Sequence, residues 1–389
     1  MNSVLELPGL SLSSRTQLFG AIRDSDTRED GVSPAVFGGR QGWLISGMDV
    51  ARAVLGSSAV SKGRPIESQR VVGGVGAMRR TAARADKAKL IHALRLEALE
   101  TQSVARHVTG ALQARGVAEA TGPGIGPHGG KLGRMSHIAE VVTFRTGGLT
   151  EAIAAGMLAQ LSGQGVGSVN GTALRELVAD AWERMEAPNS GGSDLQSDSA
   201  DDLGRFIGRM LPGAASPFLN YLRSDGWTDG RIAEELRALL LASWGSTSAL
   251  VLSALSLGLK GLPDMGTLNE VLRLYPPDFI IVRVMDREGI DRRFSIGDLL
   301  VISPWLIQRA ASGWTNPNEF DPKRWDGPNR LRWFIPFGIG ERRCPAAGLA
   351  RTYARASVSH LQDLPWRRGE FVTLLESRSP ALVAEPPYR

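Results

Sequence analysis

The chain has 389 residues, of which 42% are hydrophobic and 22% charged, with a net charge of +5. That composition suits a soluble globular protein with a large core, and its mild basicity permits an acidic partner without requiring nucleic acid; no basic stretch with interleaved aromatics stands ready to bind RNA or DNA. The opening MNSVLELPGLSLSSRTQLFG lacks a basic region followed by a long apolar run, so no signal peptide or anchor is expected, and a single cysteine suits a reducing cytoplasm.

Residues 1–60 mix short apolar runs with turns, and VFGGRQGWLIS around Trp43 predicts a hairpin. Residues 75–118 read as basic helices. TGPGIGPHGGKLG at 121–133 fits G-x-G-x-x-G by count alone, since no strand-then-helix pattern flanks it, and is expected to be a loop. Helices resume over 134–161 and 171–187, and the polar NSGGSDLQSDSADD at 189–202 reads as a loop. Next comes an uncharged stretch, ALLLASWGSTSALVLSALSLGL at 238–259, long enough to cross a membrane. It carries many serines and continues the helical pattern of GRIAEELR, so the reading is one long buried helix, capped by Thr228 or Asp229.

TLNEVLRLY is a short helix stopped by Pro276-Pro277. The strands FIIVRVM and LLVISPW follow, then a turn-rich segment, a glycine loop around Cys344, a helix from AAGLARTY onward and a terminal hairpin. Length alone would allow about two or three domains. No repeat or change of pattern divides the chain, so the expectation is a single domain over 1–389. It is mainly α with a small β region, its short sheets lying near 35–47, 279–305 and 370–385.

Cys344 stands in FIPFGIGERRCPAAGLAR, between basic neighbours and a helix start whose amides could stabilise a thiolate. Phe337, Gly338 and Gly340 would let backbone wrap closely around a flat ligand. Several roles are open. A lone cysteine is often a buried structural residue. As a nucleophile it would want a nearby base, and His92, His107, His128, His137 and His360 form no constellation in the sequence. Zinc would need more ligands than one cysteine and scattered histidines offer. A single thiolate does suffice as the axial ligand of a haem, whose porphyrin supplies four iron bonds.

FGIGERRCPAAGLAR resembles the haem-ligand loop of the cytochrome P-450 family, F-G-x-G-x-[HR]-x-C-x-G-x-x-L-A-R, with Ala346 in place of the usual glycine after the ligand. Three further matches lie upstream in the family's order. They are Glu270 and Arg273 in NEVLR, Arg324 in FDPKRW, and ALLLASWGSTSA for the long helix that crosses the haem. The resemblance covers roughly 228–389. It implies that Cys344 binds the iron of haem b, iron protoporphyrin IX, and is the metal's protein ligand. Arg342 and Arg283 would pair with propionates, and Phe337 and Gly338 would border the cofactor. His92, near Lys89 and Arg95, would be a third propionate partner. Glu270, Arg273 and Arg324 would form a buried charge network that holds the cysteine loop.

The family usually places an acid before a threonine in the long helix. Aligned on LLLA, Gly245 takes the acid position and Ser246 the alcohol position, with Thr247 next. Ser246 or Thr247, with waters, would then be the catalytic hydroxyl for proton delivery, unless the substrate supplies the missing hydroxyl or carboxyl or both residues merely bond back to helix carbonyls. Trp244, Gly245, Ile280 and Ile281 would border the substrate, with Phe279 beside them as part of an apolar wall. The implied protein is a cytoplasmic haem-thiolate monooxygenase, binding neither membrane nor nucleic acid. It would act on an apolar or aromatic small-molecule substrate, in bacterial natural-product biosynthesis. A ferredoxin or flavodoxin would supply electrons, docking at the basic face of Arg342, Arg343, Arg351 and Arg355. The alternatives are a haem-thiolate enzyme that couples, closes rings or rearranges without inserting oxygen, and a haem-binding protein without turnover.

Overall fold

The computed structural model describes residues 4–10, 15–61, 80–98, 149–165, 167–186, 202–259, 261–327 and 330–361. The expected loop at 121–133 and the expected hairpin near 370–385 lie outside them, as does most of 189–202. The chain forms two compact units: one from Met1–Ile66 and Asp264–Cys344, the other chiefly from Glu67–Pro263 and Pro345–Ser379.

The first unit holds the β structure. Its strands are β1 (Leu5–Leu7), β2 (Val32–Phe37), β3 (Arg40–Ile45), β4 (Val60–Ser61), β5 (Ile281–Met285) and β6 (Leu299–Ile302). They form one sheet in the order β1-β2-β3-β6-β5-β4. The β2–β3 hairpin turns on Gly38 and Gly39, both at positive φ (57° and 85°). A two-residue turn of the favoured twist needs that conformation, and glycine adopts it without a Cβ penalty. β3 then pairs in parallel with β6, Gly42 opposite Leu299 and Ile45 opposite Ile302.

Helices α1 (Arg15–Arg23) and α2 (Met48–Gly56) belong to the same unit. Met48 and Val54 of α2 pack with Val32, Ile45, Leu300 and Ile302 of the sheet into a core that also takes in Ile335, 1% exposed. Ile339 packs against that core as well, so the segment entering the cysteine loop is pinned by two apolar side chains.

The second unit is helical: α3 (Arg80–Ala98), α4 (Leu149–Leu161), α5 (Gly171–Glu186), α6 (Asp202–Met210), α7 (Pro217–Ser224), α8 (Asp229–Ser243) and α9 (Ser246–Ser256). In the first unit, α10 (Met265–Leu274) and the one-turn α11 (Pro304–Ile307) follow; α12 (Ala347–Leu361) returns to the second. Side-chain caps start several of these helices. Ser216 accepts from Leu219 N–H at 3.1 Å, Thr228 from Arg231 N–H at 3.3 Å, and Asp264 from Thr267 N–H at 2.7 Å.

In the second unit α12 packs on α9 and α3, and α3 on α7. A buried polar cluster ties them together. Glu97 accepts from the Phe218 amide at 3.0 Å and from Gln160 Nε2 at 3.1 Å, and Tyr353 donates its phenolic proton to Gln160 Oε1. Burial, together with the Glu97 charge, pushes the Tyr353 phenol well above its usual range.

The uncharged stretch departs from expectation. Asp229–Ser256 is long and apolar enough to cross a membrane by length and composition, and 72% of its apolar window is buried within the protein. It is not one unbroken helix. α8 ends at Ser243, Trp244 leaves the helical region at ψ 113°, and Gly245 stands at φ 86° before α9 begins. The glycine permits a left-handed residue in mid-run, and Ser243, Ser246 and Ser248 around it donate their hydroxyls to backbone carbonyls.

Candidate functional site

The cysteine loop leaves the sheet unit's core at Ile335 and is closed by its own backbone. The Gly338 amide donates to Ile335 O at 3.0 Å, the Arg343 amide to Gly340 O at 3.1 Å, and the Cys344 amide to Phe337 O at 2.9 Å. Gly338 and Gly340 both have positive φ (68° and 73°). A Cβ on Gly340 would lie 3.0 Å from Leu55 O, so α2 approaches the loop closely at this glycine. A Cβ on Gly338 would meet only Ile281 Cδ1, at 3.8 Å, which leaves room beside the backbone. Cys344 is partly buried at the loop's end. Among the described residues no group of three His, Cys, Asp or Glu side chains gathers to hold a metal by itself.

Arg283 projects from β5 on the same face as Ile281 and Met285, since side chains alternate along a strand. It is 8% exposed. One guanidinium nitrogen donates to Val282 O at 2.8 Å, Nε has no hydrogen-bond partner, and among the described residues no carboxylate pairs with it. Burial, reinforced by the neighbouring Arg342 charge, lowers its pKa to about 10. Two guanidinium groups thus stand near each other, one of them buried and short of an acceptor. An anion from outside the chain would offset the two neighbouring positive charges and occupy the orphaned donor, and a carboxylate matches the guanidinium fork. The residues present therefore fit the propionate side of a haem.

Behind the loop lies a buried charge network. Glu270 and Arg273, three residues apart on α10, are both wholly buried and joined by two hydrogen bonds of 2.9 and 2.8 Å. Arg324 donates to Glu270 at 2.9 Å, as do the Trp325 indole at 2.9 Å and the Asp321 amide at 3.0 Å. Arg273 also donates to the carbonyls of Gln308, Pro317 and Glu319. The structure thus brings together the three residues singled out in the sequence.

It adds one that the sequence did not flag. Gln308, wholly buried, donates to the last carbonyls of α10 (Leu272 O at 2.9 Å, Arg273 O at 3.0 Å) and accepts from the Ile335 amide at 2.8 Å. One side chain therefore couples the network's helix to the entrance of the cysteine loop. A lone glutamine after a strand carries no sequence signal for that job.

Other expected residues stand elsewhere. Ile280 is 5% exposed and Ile281 packs partly against the sheet core. Phe279, expected as part of an apolar wall, is instead wholly inside the core, edge-on to Phe19 at 5.2 Å, because the Pro-Pro stop turns it inward before β5 begins. In the helical unit His92 is exposed with its ring 4.5 Å from that of Tyr221, Lys89 pairs with Asp225 at 2.6 Å, and Arg95 is exposed. Trp244 is 2% exposed. Ser246 Oγ donates back to Ser243 O at 3.2 Å, and Thr247 is 3% exposed. Arg343 is exposed, and Arg355 donates to Pro263 O at 2.6 Å.

Comparison with known proteins agrees with this geometry. The cytochrome P450 family description matches residues 265–361, the span from α10 through the cysteine loop to the end of α12. A sterol 14alpha-demethylase of Mycolicibacterium vanbaalenii is 36% identical over 112 residues, which is 26% of this chain and 25% of that protein. The match thus spans about a quarter of the relative's length. Among solved structures, the cytochrome P450 CYP109B1 from Bacillus subtilis superposes with a TM-score of 0.64 at 14% identity, covering 94% of this chain and 96% of that one. OxyC, a cytochrome P450 implicated in an oxidative C–C coupling reaction during vancomycin biosynthesis, gives 0.62 at 15% identity, covering 99% of each chain. The matched region contains the only cysteine, and the fold likeness extends over nearly the whole length. Residues 265–361 thus resemble the cytochrome P450 family, and the chain as a whole has the fold of cytochrome P450 structures.

Proposed function

We propose that this protein is a haem-thiolate monooxygenase acting on an apolar or aromatic small molecule. In the overall reaction one atom of dioxygen enters a C–H bond and the other leaves as water. Two electrons from a reduced carrier and two protons balance it. The observation that carries the reading is the pairing, in one compact unit, of a glycine-wrapped cysteine with a buried arginine that has no carboxylate partner among the described residues. A bound haem b would supply the oxygen-activating iron, with Cys344 as thiolate ligand. Arg283 and Arg342 would hold its propionates, and Phe337 and Gly338 would flank it. The Glu270–Arg273–Arg324 network and Gln308 keep the loop in register for that ligand. Ser246 or Thr247 would supply protons, since glycine at 245 has no donor of its own.

A ferredoxin or flavodoxin is the proposed electron source, drawn to exposed Arg343 and its basic neighbours. A cytoplasmic location without membrane attachment is part of the same reading, supported by the burial of Asp229–Ser256. So is a place in bacterial natural-product biosynthesis, for which the support is compositional. His92 is retained as a candidate third propionate partner. Trp244, Gly245, Ile280 and Ile281 are retained as candidate substrate neighbours. The test is spectral and catalytic together. Reduced wild-type protein under carbon monoxide should give the thiolate-type band and Cys344→Ala should not; a substrate should then drive consumption of reduced carrier.

The absent acid favours a second reading, oxidative coupling or rearrangement without oxygen insertion. Heavy-isotope dioxygen decides between them: label in the product means insertion, and unlabelled product means coupling.

A further inference from the structure

The break between α8 and α9 is held by a brace that the family resemblance does not predict. The Gly245 carbonyl accepts twice, from the Ala249 amide at 2.8 Å and from Ser248 Oγ at 2.9 Å. Ser248 is 1% exposed, and its oxygen lies 2.8 Å from Thr150 Oγ1 on α4, which is 4% exposed. A hydroxyl has one proton to give. Ser248 gives its proton to Gly245, so Thr150 is the donor to Ser248. The chain of bonds runs from Thr150 to Ser248 to a peptide carbonyl and stops there. A peptide carbonyl has no proton to pass on, so this is a fastening and not a relay.

What it fastens is the backbone immediately before Ser246 and Thr247. Gly245 is the most permissive residue type at the most unusual dihedral in the run, φ 86°, and nothing in its own side chain fixes it. Rotation there would swing the first turn of α9 and both hydroxyls with it. We propose that Thr150 and Ser248 are positioning residues for proton delivery by Ser246 or Thr247, pinning the Gly245 carbonyl so that those hydroxyls keep one orientation. The proposal rests on the monooxygenase reading above. It also accounts for the missing acid: an L side chain at 245 would be strained at that φ.

The test uses haem-loaded protein and the Thr150→Val/Ser248→Ala double variant. It removes the buried donor and its acceptor together, so stability should change little. Two readouts follow the brace: hydrogen exchange of the Ala249 amide, and hydrogen peroxide-driven oxidation of guaiacol with its solvent deuterium isotope effect. The double variant is expected to melt like wild type, to exchange faster at Ala249, and to lose roughly 10- to 100-fold in guaiacol rate with a larger isotope effect. Thr150→Ser, which keeps the hydroxyl, should match wild type in all three. If the double variant does not fold, Thr150→Val alone should move both readouts in the same direction by less.

A folded double variant with wild-type exchange and rate overturns the proposal, as does Thr150→Ser behaving like Thr150→Val. A wild-type protein without the thiolate carbon monoxide band overturns the monooxygenase reading and the proposal with it. A normal band with an unmoved double variant overturns the proposal alone.

Discussion

Arg273→Met is the sharpest probe of the buried network. The side chain, itself wholly buried, makes two hydrogen bonds to Glu270 and three to the carbonyls of Gln308, Pro317 and Glu319. Methionine fills much of the volume and supplies no donor. Glu270 would keep Arg324, the Trp325 indole and the Asp321 amide, but lose its closest cation. Removing one partner of a buried ion pair costs about 3–5 kcal/mol, because the other charge stays buried. Orphaned carbonyls add to that, though neighbouring terms do not sum. Against a typical total stability of about 5–15 kcal/mol, the loss leaves little margin. Arg273→Met should therefore yield little soluble holoprotein, and what folds should unfold at a much lower urea concentration. Arg273→Lys keeps the charge without the fork, and should fall between the two. A double-mutant cycle with Glu270→Gln should give a coupling near the upper end of about 0.5–3 kcal/mol. A coupling near zero, with an unchanged urea midpoint and full haem content, would refute the argument and show that these charges contribute nothing to the fold.

Cys344→Ala should abolish the thiolate-type carbon monoxide band while the apoprotein's helical circular dichroism is retained. Arg283→Met should act oppositely on two states. The lowered pKa means that the unfolded chain holds this proton more tightly than the folded one, so the buried charge destabilises haem-free protein at neutral pH. That penalty fades as pH rises past about 10 toward the ordinary arginine range. Removing it should stabilise haem-free protein by on the order of 3 kcal/mol, read as a higher urea midpoint, while shortening the time of haem loss to a scavenger. Gly245→Ala should cost about 1–2 kcal/mol for its left-handed φ, read by thermal melting, and Gly340→Ala at least as much, since its Cβ also meets Leu55 O.

The parts of the fold legible in the sequence are those dictated by local chemistry. Gly38-Gly39 announces a tight hairpin, Pro276-Pro277 a helix stop, and the glycines before Cys344 a loop that hugs something. The helix break is different. Its ingredients are plain in the sequence, a glycine followed by Ser-Thr-Ser, yet the uniform hydrophobicity of 238–259 reads as one helix because periodicity averages over a single left-handed residue. Gln308 is invisible for another reason. Its role lies in backbone carbonyls and an amide that come together only when α10, α11 and Ile335 are in place. Phe279 misleads because an apolar run after a proline stop reads alike whether it lines a pocket or fills a core. Arg283 can be named by resemblance, but its having no carboxylate partner among the described residues, which is what recommends it, appears only in three dimensions.

The pairing of β3 with β6 has a consequence for biogenesis. Gly42 waits for Leu299, more than 250 residues downstream. At about 5–20 residues per second, the ribosome delivers the partner strand roughly 10–50 seconds after the first hairpin has emerged. During that interval β3 offers Trp43, Leu44 and Ile45 on an uncovered edge, the kind of surface on which nascent chains adhere to one another. The cysteine loop is made later still, so the cofactor's cradle is completed only after the edge has been covered. Yield of this protein in cells should therefore depend on translation speed and on chaperones that shield early strands, as much as on haem supply.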